Sequence, residues 1–63
     1  MKYKIKNKKN NIYYSSTIFK NQFHWSYDKP YLFKSKREVL NKIDEIVAIK
    51  KIDKEDLEIE VEK

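Results

Sequence analysis

The chain has no glycine and no cysteine, and Arg37 is the only arginine among its 15 basic residues. Each shortage excludes something. Without glycine there are no phosphate-cradling loops and no dinucleotide-binding turn, because both need backbone positions that a Cβ would obstruct. Turns with positive φ then fall to asparagine, the next most tolerant residue. Asn7, Asn10, Asn11 and Asn21 all stand where loops are expected. Without cysteine, neither disulfides nor thiolate metal sites can reinforce the fold, and the composition fits a reducing compartment, the cytoplasm. Arginine offers a planar fork for paired hydrogen bonds, whereas lysine is a hydrated point charge. Readout of base edges is therefore not expected. Long apolar runs are missing as well. The longest is Ile46-Val47-Ala48-Ile49, against the roughly 18 residues of a membrane span, so no membrane partner is expected. The start, Met1-Lys2-Tyr3-Lys4-Ile5-Lys6, alternates charge with bulk and has no apolar stretch of a signal peptide.

With 63 residues the chain makes a single domain, 1–63. A domain this short buries only about 60% of the surface its unfolded chain exposes, so its stability is a few kcal/mol. Its isoleucines and phenylalanines must supply the core, or a second copy must help, and a homodimer is expected on that ground. Charge is divided unequally. Residues 1–34 carry eight lysines and one acid, Asp28, whereas residues 35–63 carry seven basic and nine acidic residues, for a total of +5. All nine aromatics lie between Tyr3 and Phe33. The first half builds a basic, aromatic surface and the second a mixed-charge scaffold.

Lys2 to Asn7 reads as a strand with Tyr3 and Ile5 on one face and Lys2, Lys4 and Lys6 on the other. Lys8-Lys9-Asn10 breaks the pattern as a hairpin loop with an asparagine in the left-handed region. Asn11 to Lys20 resumes as a second strand rich in β-branched and aromatic residues. The stretch from Asn21 to Pro30 is irregular, and Tyr31-Leu32-Phe33 is expected to add a short third strand. Ser35-Lys36-Arg37-Glu38 matches a capping box, and Val39, Leu40, Ile43, Ile46 and Val47 form an apolar stripe at helical spacing. The spacing predicts a helix from Lys36 to Lys51. Leu57, Ile59 and Val61 then alternate with Glu58, Glu60 and Glu62 in a last strand. Strand–strand–(strand)–helix–strand is an α+β fold, a small sheet of three or four strands packed on one helix. Opposite charges favour neighbours across a sheet, so the last strand is placed beside the first, Lys row against Glu row.

No catalytic residue and no metal or cofactor site is expected. His24, Ser26 and Asp28 are close in sequence, but proximity is not triad geometry. A single histidine with scattered carboxylates lacks ligand spacing. Glu58, Glu60 and Glu62 project about 7 Å apart along one strand face, and the lysine row is available to neutralise them. The cluster Tyr13, Tyr14, Phe19, Phe23, Trp25, Tyr27 and Tyr31 is larger than one helix can cover. Surplus Tyr and Trp suit protein interfaces, and with interleaved lysines they also suit base stacking on single strands. The candidate contact set is Tyr13, Tyr14, Phe23, Trp25 and Tyr27, with Lys8, Lys9 and Lys20 steering approach to an acidic patch. Nucleic acid is the alternative partner for the same residues.

Tyr13-Tyr14, Phe33 through Glu38, and Leu57 through Val61 together resemble short proteins of bacteriophages and prophages in AT-rich bacteria. That class includes inhibitors of host defences such as anti-CRISPR proteins. The resemblance implies a non-enzymatic phage or mobile-element protein, a stoichiometric inhibitor of a host protein in the bacterial cytoplasm.

Overall fold

A computed structural model describes residues 1–19 and 22–62, with the backbone alone at 18 and 19. Four strands, β1 (Lys2–Asn7), β2 (Ile12–Phe19), β3 (Gln22–Ser26) and β4 (Leu57–Glu62), form one antiparallel sheet in the order β3-β2-β1-β4. The helix α1 (Lys36–Lys50) packs on one face, and a 3₁₀ turn, Lys54–Asp56, leads into β4. The fold is α+β, as the alternating patterns imply.

The outer strands are neighbours, as charge matching requires. Lys2 stands opposite Glu62, Lys4 opposite Glu60 and Lys6 opposite Glu58. This register turns Tyr3, Ile5, Leu57 and Ile59 to the helix side, where Ile5 and Leu57 are buried. Lys8 N–H donates to Asp56 C=O at 2.8 Å and ties the start of β4 to the end of β1. Between β1 and β2 the chain turns through a four-residue loop, since Asn7 pairs with Ile12. Asn10 N–H closes it on Asn7 C=O at 3.3 Å, and Asn11 takes the left-handed position at φ 56°. Asn7 itself is not a free loop residue. It is buried at the end of β1, and its Oδ1 accepts from Lys9 N–H at 3.0 Å, a side-chain turn that starts the loop.

The third strand stands at Gln22–Ser26 and not at Tyr31-Leu32-Phe33. The reason is the pairing it offers: β3 sets Trp25 opposite Tyr14 and Phe23 opposite Thr17, so two large rings reach the covered face. Tyr31-Leu32-Phe33 has less room, between Pro30, which has no N–H to donate, and the helix cap at Ser35. It still enters the sheet. Beyond Lys6 and Tyr13, β1 and β2 part, and the segment lies between them. Tyr31 N–H donates to Tyr14 C=O at 2.8 Å, and Tyr3 and Phe33 exchange both backbone bonds, at 2.9 and 2.7 Å. Phe33 is thereby carried into the core.

The helix starts where the capping box places it. Ser35 is extended, and its Oγ accepts from Glu38 N–H at 3.2 Å. Val39, Ile43 and Ile46 are buried against the sheet, with Val47 and Ile49 partly covered. Leu40, expected in the stripe, lies on its border and is 38% exposed. The helix ends on Lys51 in the left-handed conformation, φ 53° and ψ 39°. Glycine usually fills that position, and this chain has none.

Candidate functional site

β2 carries a bulge between Tyr14 and Ser16. One extra residue there resets the alternation, so Tyr14 and Thr17 both face the core, and Tyr14 Oη lies 2.6 Å from Thr17 Oγ1. Tyr14 is the hub of the aromatic cluster. Its ring meets Phe23 at 6.2 Å, Trp25 at 6.2 Å and Tyr31 at 6.1 Å edge-on, and it stacks on Phe33 at 5.8 Å. Tyr31 in turn meets Phe33 edge-on at 4.7 Å. Such geometries suit the ring quadrupole and add about 0.5–1.5 kcal/mol a pair beyond burial.

The proposed contact residues are consequently separated by the fold. Tyr14 and Phe23 are 4% and 7% exposed, so they support a surface and do not form one. This corrects their place among the contact residues, because the β2–β3 register turns both inward. Trp25 packs against the core and is half-buried. Tyr27, just beyond β3, is 77% exposed. Lys8 and Lys9 are exposed in the β1–β2 loop at the same end of the sheet. Lys20 lies outside the described residues, as do Asn21 and the side chain of Phe19. Tyr31 was not among the expected contacts, yet it is half-exposed. Its position after Pro30, in an apolar triplet that reads as core, hides that.

Tyr13 faces the other side of the sheet, where the charges are. Its hydroxyl donates to Glu60 Oε1 at 3.1 Å, and Lys4 Nζ lies 5.0 Å from the centre of its ring. Lys4 donates to Glu62 at 3.0 Å and stands 3.9 Å from Glu60, while Lys6 is 3.8 Å from Glu60. The ion pairs therefore run diagonally as well as straight across the β1–β4 ladder. The hydrogen bond to Glu62 raises the Lys4 pKa above 10.5. Partial burial opposes this, and the charges of Glu62, Tyr13 and Glu60 reinforce it.

A second lysine closes the aromatic cluster on the helix side. Lys42 Nζ stands 5.8 Å from the Tyr14 ring centre and 6.0 Å from that of Phe23, and it donates to Glu45 at 2.7 Å. Burial is the largest influence on Lys42 and acts downward. The hydrogen bond to Glu45, with the charges of Tyr14, Glu45 and Tyr31, outweighs it and holds the pKa above 10.5. An open groove of about 380 Å³ runs past this lysine between Tyr31, Phe33 and the helix residues Glu38, Asn41 and Glu45.

Of the His24–Ser26–Asp28 set, His24 is exposed within β3 opposite Ser16, and Ser26 and Asp28 make a turn. Ser26 Oγ donates to Asp28 at 3.1 Å and accepts from the backbone of Asp28 and Lys29 at 3.4 and 3.2 Å. A hydroxyl so engaged is not poised as a nucleophile. Among the described residues, no three His, Asp or Glu side chains converge to hold a metal ion. No helix of the described residues is long and apolar enough to cross a membrane. No family model matches the chain, and neither a curated protein nor a solved structure matches it.

Proposed function

We propose that this is a small non-enzymatic binding protein of phage or mobile-element type, a stoichiometric inhibitor that occupies a surface of a host protein in the bacterial cytoplasm. A defence effector is the class of target that the resemblance implies. The contact surface centres on Tyr27 and the exposed side of Trp25, with Lys8 and Lys9 at the same end of the sheet to steer approach.

The observation that carries protein over nucleic acid is the state of the lysine row. A backbone-tracking groove needs free cations for phosphates. Lys4 and Lys6 instead stand against Glu60 and Glu62, and the register sets a carboxylate opposite each lysine of β1. The outer face is close to charge-balanced, and a phosphate chain laid on it meets carboxylates as often as ammonium groups. Exposed tyrosine and half-buried tryptophan, by contrast, are the side chains that anchor protein interfaces.

Fluorescence anisotropy with labelled single-stranded RNA and DNA tests the choice. Binding at physiological salt is expected to be no tighter than about 10⁻⁶ M, the non-specific range. Nanomolar binding that falls steeply with salt, and is lost in Tyr27→Ala, would overturn the protein-binding assignment. Tyr27 serves better than Trp25 here, because Trp25 also packs on the core. Capture of the host target is expected to survive nuclease treatment and to weaken in Tyr27→Ala.

A further inference from the structure

The sheet ends on β4. β1 pairs with one side of it, and among the described residues no strand pairs with the other. The backbone donors and acceptors along that free edge of the strand Leu57–Glu62 therefore point away from the sheet. The two faces of this edge differ sharply in chemistry. On the outer face stand Glu58, Glu60 and Glu62, and Glu58 is exposed with no lysine within 4.0 Å among the described residues. On the inner face the apolar row begins buried at Leu57 and emerges at Val61, which is 47% exposed.

An added strand must match both faces. Its outer side chains should be cations, to stand against the carboxylates, and its inner side chains apolar, to continue the row of Leu57, Ile59 and Val61. The fold already contains one such strand. β1 alternates Lys2, Lys4 and Lys6 with Tyr3 and Ile5, and it occupies the opposite edge of β4 through these pairings. A second copy of β4 fits poorly. Entering antiparallel about a two-fold axis centred on Glu60, it would set Glu60 against Glu60 and Glu58 against Glu62, and like charges directly opposite are destabilising.

We propose that the free edge of β4 binds, by strand addition, an extended segment of a protein partner in which Lys or Arg alternates with apolar residues. The proposal rests on the protein-binding function above and names the second surface and the kind of segment it takes. Backbone bonds supply affinity, Glu58, which has no lysine within 4.0 Å among the described residues, selects a basic side chain and fixes register, and the apolar side chains of the segment continue the row of Ile59 and Val61.

The probe is a nine-residue peptide alternating Lys with Val, titrated into the ¹⁵N-labelled full chain and followed by NMR, beside a peptide alternating Glu with Val. The lysine peptide is expected to shift β4 amides saturably and to slow exchange of those on the free edge. Cross-peaks between β1 and β4 should persist, which marks addition and not exchange of β1. The glutamate peptide should leave the spectrum unchanged. Glu58→Gln is expected to weaken binding about two- to fivefold, the worth of one cross-strand charge pair. Glu58 is exposed, so this variant keeps the fold. Equal response to both peptides, shifts centred on β3 or Tyr27, association of the chain with itself through β4, or no saturable shift would each overturn the proposal. Binding of a host protein through Tyr27 with β4 unmoved would overturn the edge assignment alone and leave the binding function standing.

Discussion

Two adjacent tyrosines have opposite fates. Tyr14 makes ring contacts with four other aromatics, whereas Tyr13 lies on the charged face bonded to Glu60. Removing a buried ring leaves a cavity as well as losing transfer energy, about 3–5 kcal/mol. That is comparable to the whole stability of a domain this size, so Tyr14→Ala is expected to be largely unfolded by circular dichroism at 25 °C. Tyr27→Ala should melt within about 0.5 kcal/mol of the parent, as exposed substitutions do. If the two variants melt alike, the division between core and surface tyrosines is wrong. Lys51 permits a prediction of the opposite sign. A residue with a Cβ pays about 1–2 kcal/mol in the left-handed region, and glycine does not, although glycine costs more to order. Lys51→Gly is therefore expected to stabilise by about 0.5–1 kcal/mol, read from the urea midpoint at constant slope. A destabilised variant would show that Lys51 contributes more through charge at the helix end than it loses in strain.

At the scale of elements, the capped helix and the β1–β4 ladder each invite a measurement. Ser35→Ala removes the acceptor for Glu38 N–H and should cost about 1 kcal/mol, which in a 60–100-residue domain lowers Tm by roughly 4–8 °C. An unchanged Tm would place the working start of the helix elsewhere. In the ladder, Lys4 is the cation held by two carboxylates. Lys4→Glu sets like charges across and diagonally and is expected to cost about 1 kcal/mol, whereas Lys29→Glu, in the exposed turn after β3, should cost little. Equal melting points would contradict the pairing. The pH dependence has a definite direction. The Lys4 pKa lies above 10.5 in the folded chain, so the charged form is favoured by folding. Its contribution is complete below the unfolded value and is lost as pH rises through the folded one. The stability gap between the parent and Lys4→Met is thus expected to be constant at neutral pH and to close above about pH 10.5. A gap that persists at high pH would assign Lys4 a packing role.

For the whole molecule, the two halves of the sheet, β1–β4 and β2–β3, share one core. Among the described residues they pair directly where Lys6 and Asn7 meet Tyr13 and Ile12, and Phe33 fills the space where they part. A core shared in this way unfolds as one unit, so far-ultraviolet and near-ultraviolet transitions are expected to coincide, the mark of two-state behaviour. Phe33→Ala should lower both together. Loss of the near-ultraviolet transition alone, with strand signal retained, would mean that the halves hold separately.

Whatever depends on period and charge is legible along the chain: the strands β1 and β4, the helix with its cap at Ser35, and the adjacency of the lysine and glutamate rows. These patterns are local, or they match one row against one other, so reading along the chain suffices. It placed the left-handed residue of the hairpin on an asparagine, but at Asn10 where the structure has Asn11, and it missed Lys51, whose left-handed conformation is set by the helix end. Which aromatics are core depends instead on how the strands pair. Alternation says that Tyr13 and Tyr14 face opposite ways. The choice of face waits on the pairing of Lys6 with Tyr13 and on the bulge that turns Tyr14 and Thr17 to the same side. The third strand belongs to the same class. Gln22–Ser26 alternates no more cleanly than Tyr31–Phe33, and what selects it is the set of rings it brings opposite Tyr14 and Thr17, a property of two segments together that neither carries alone.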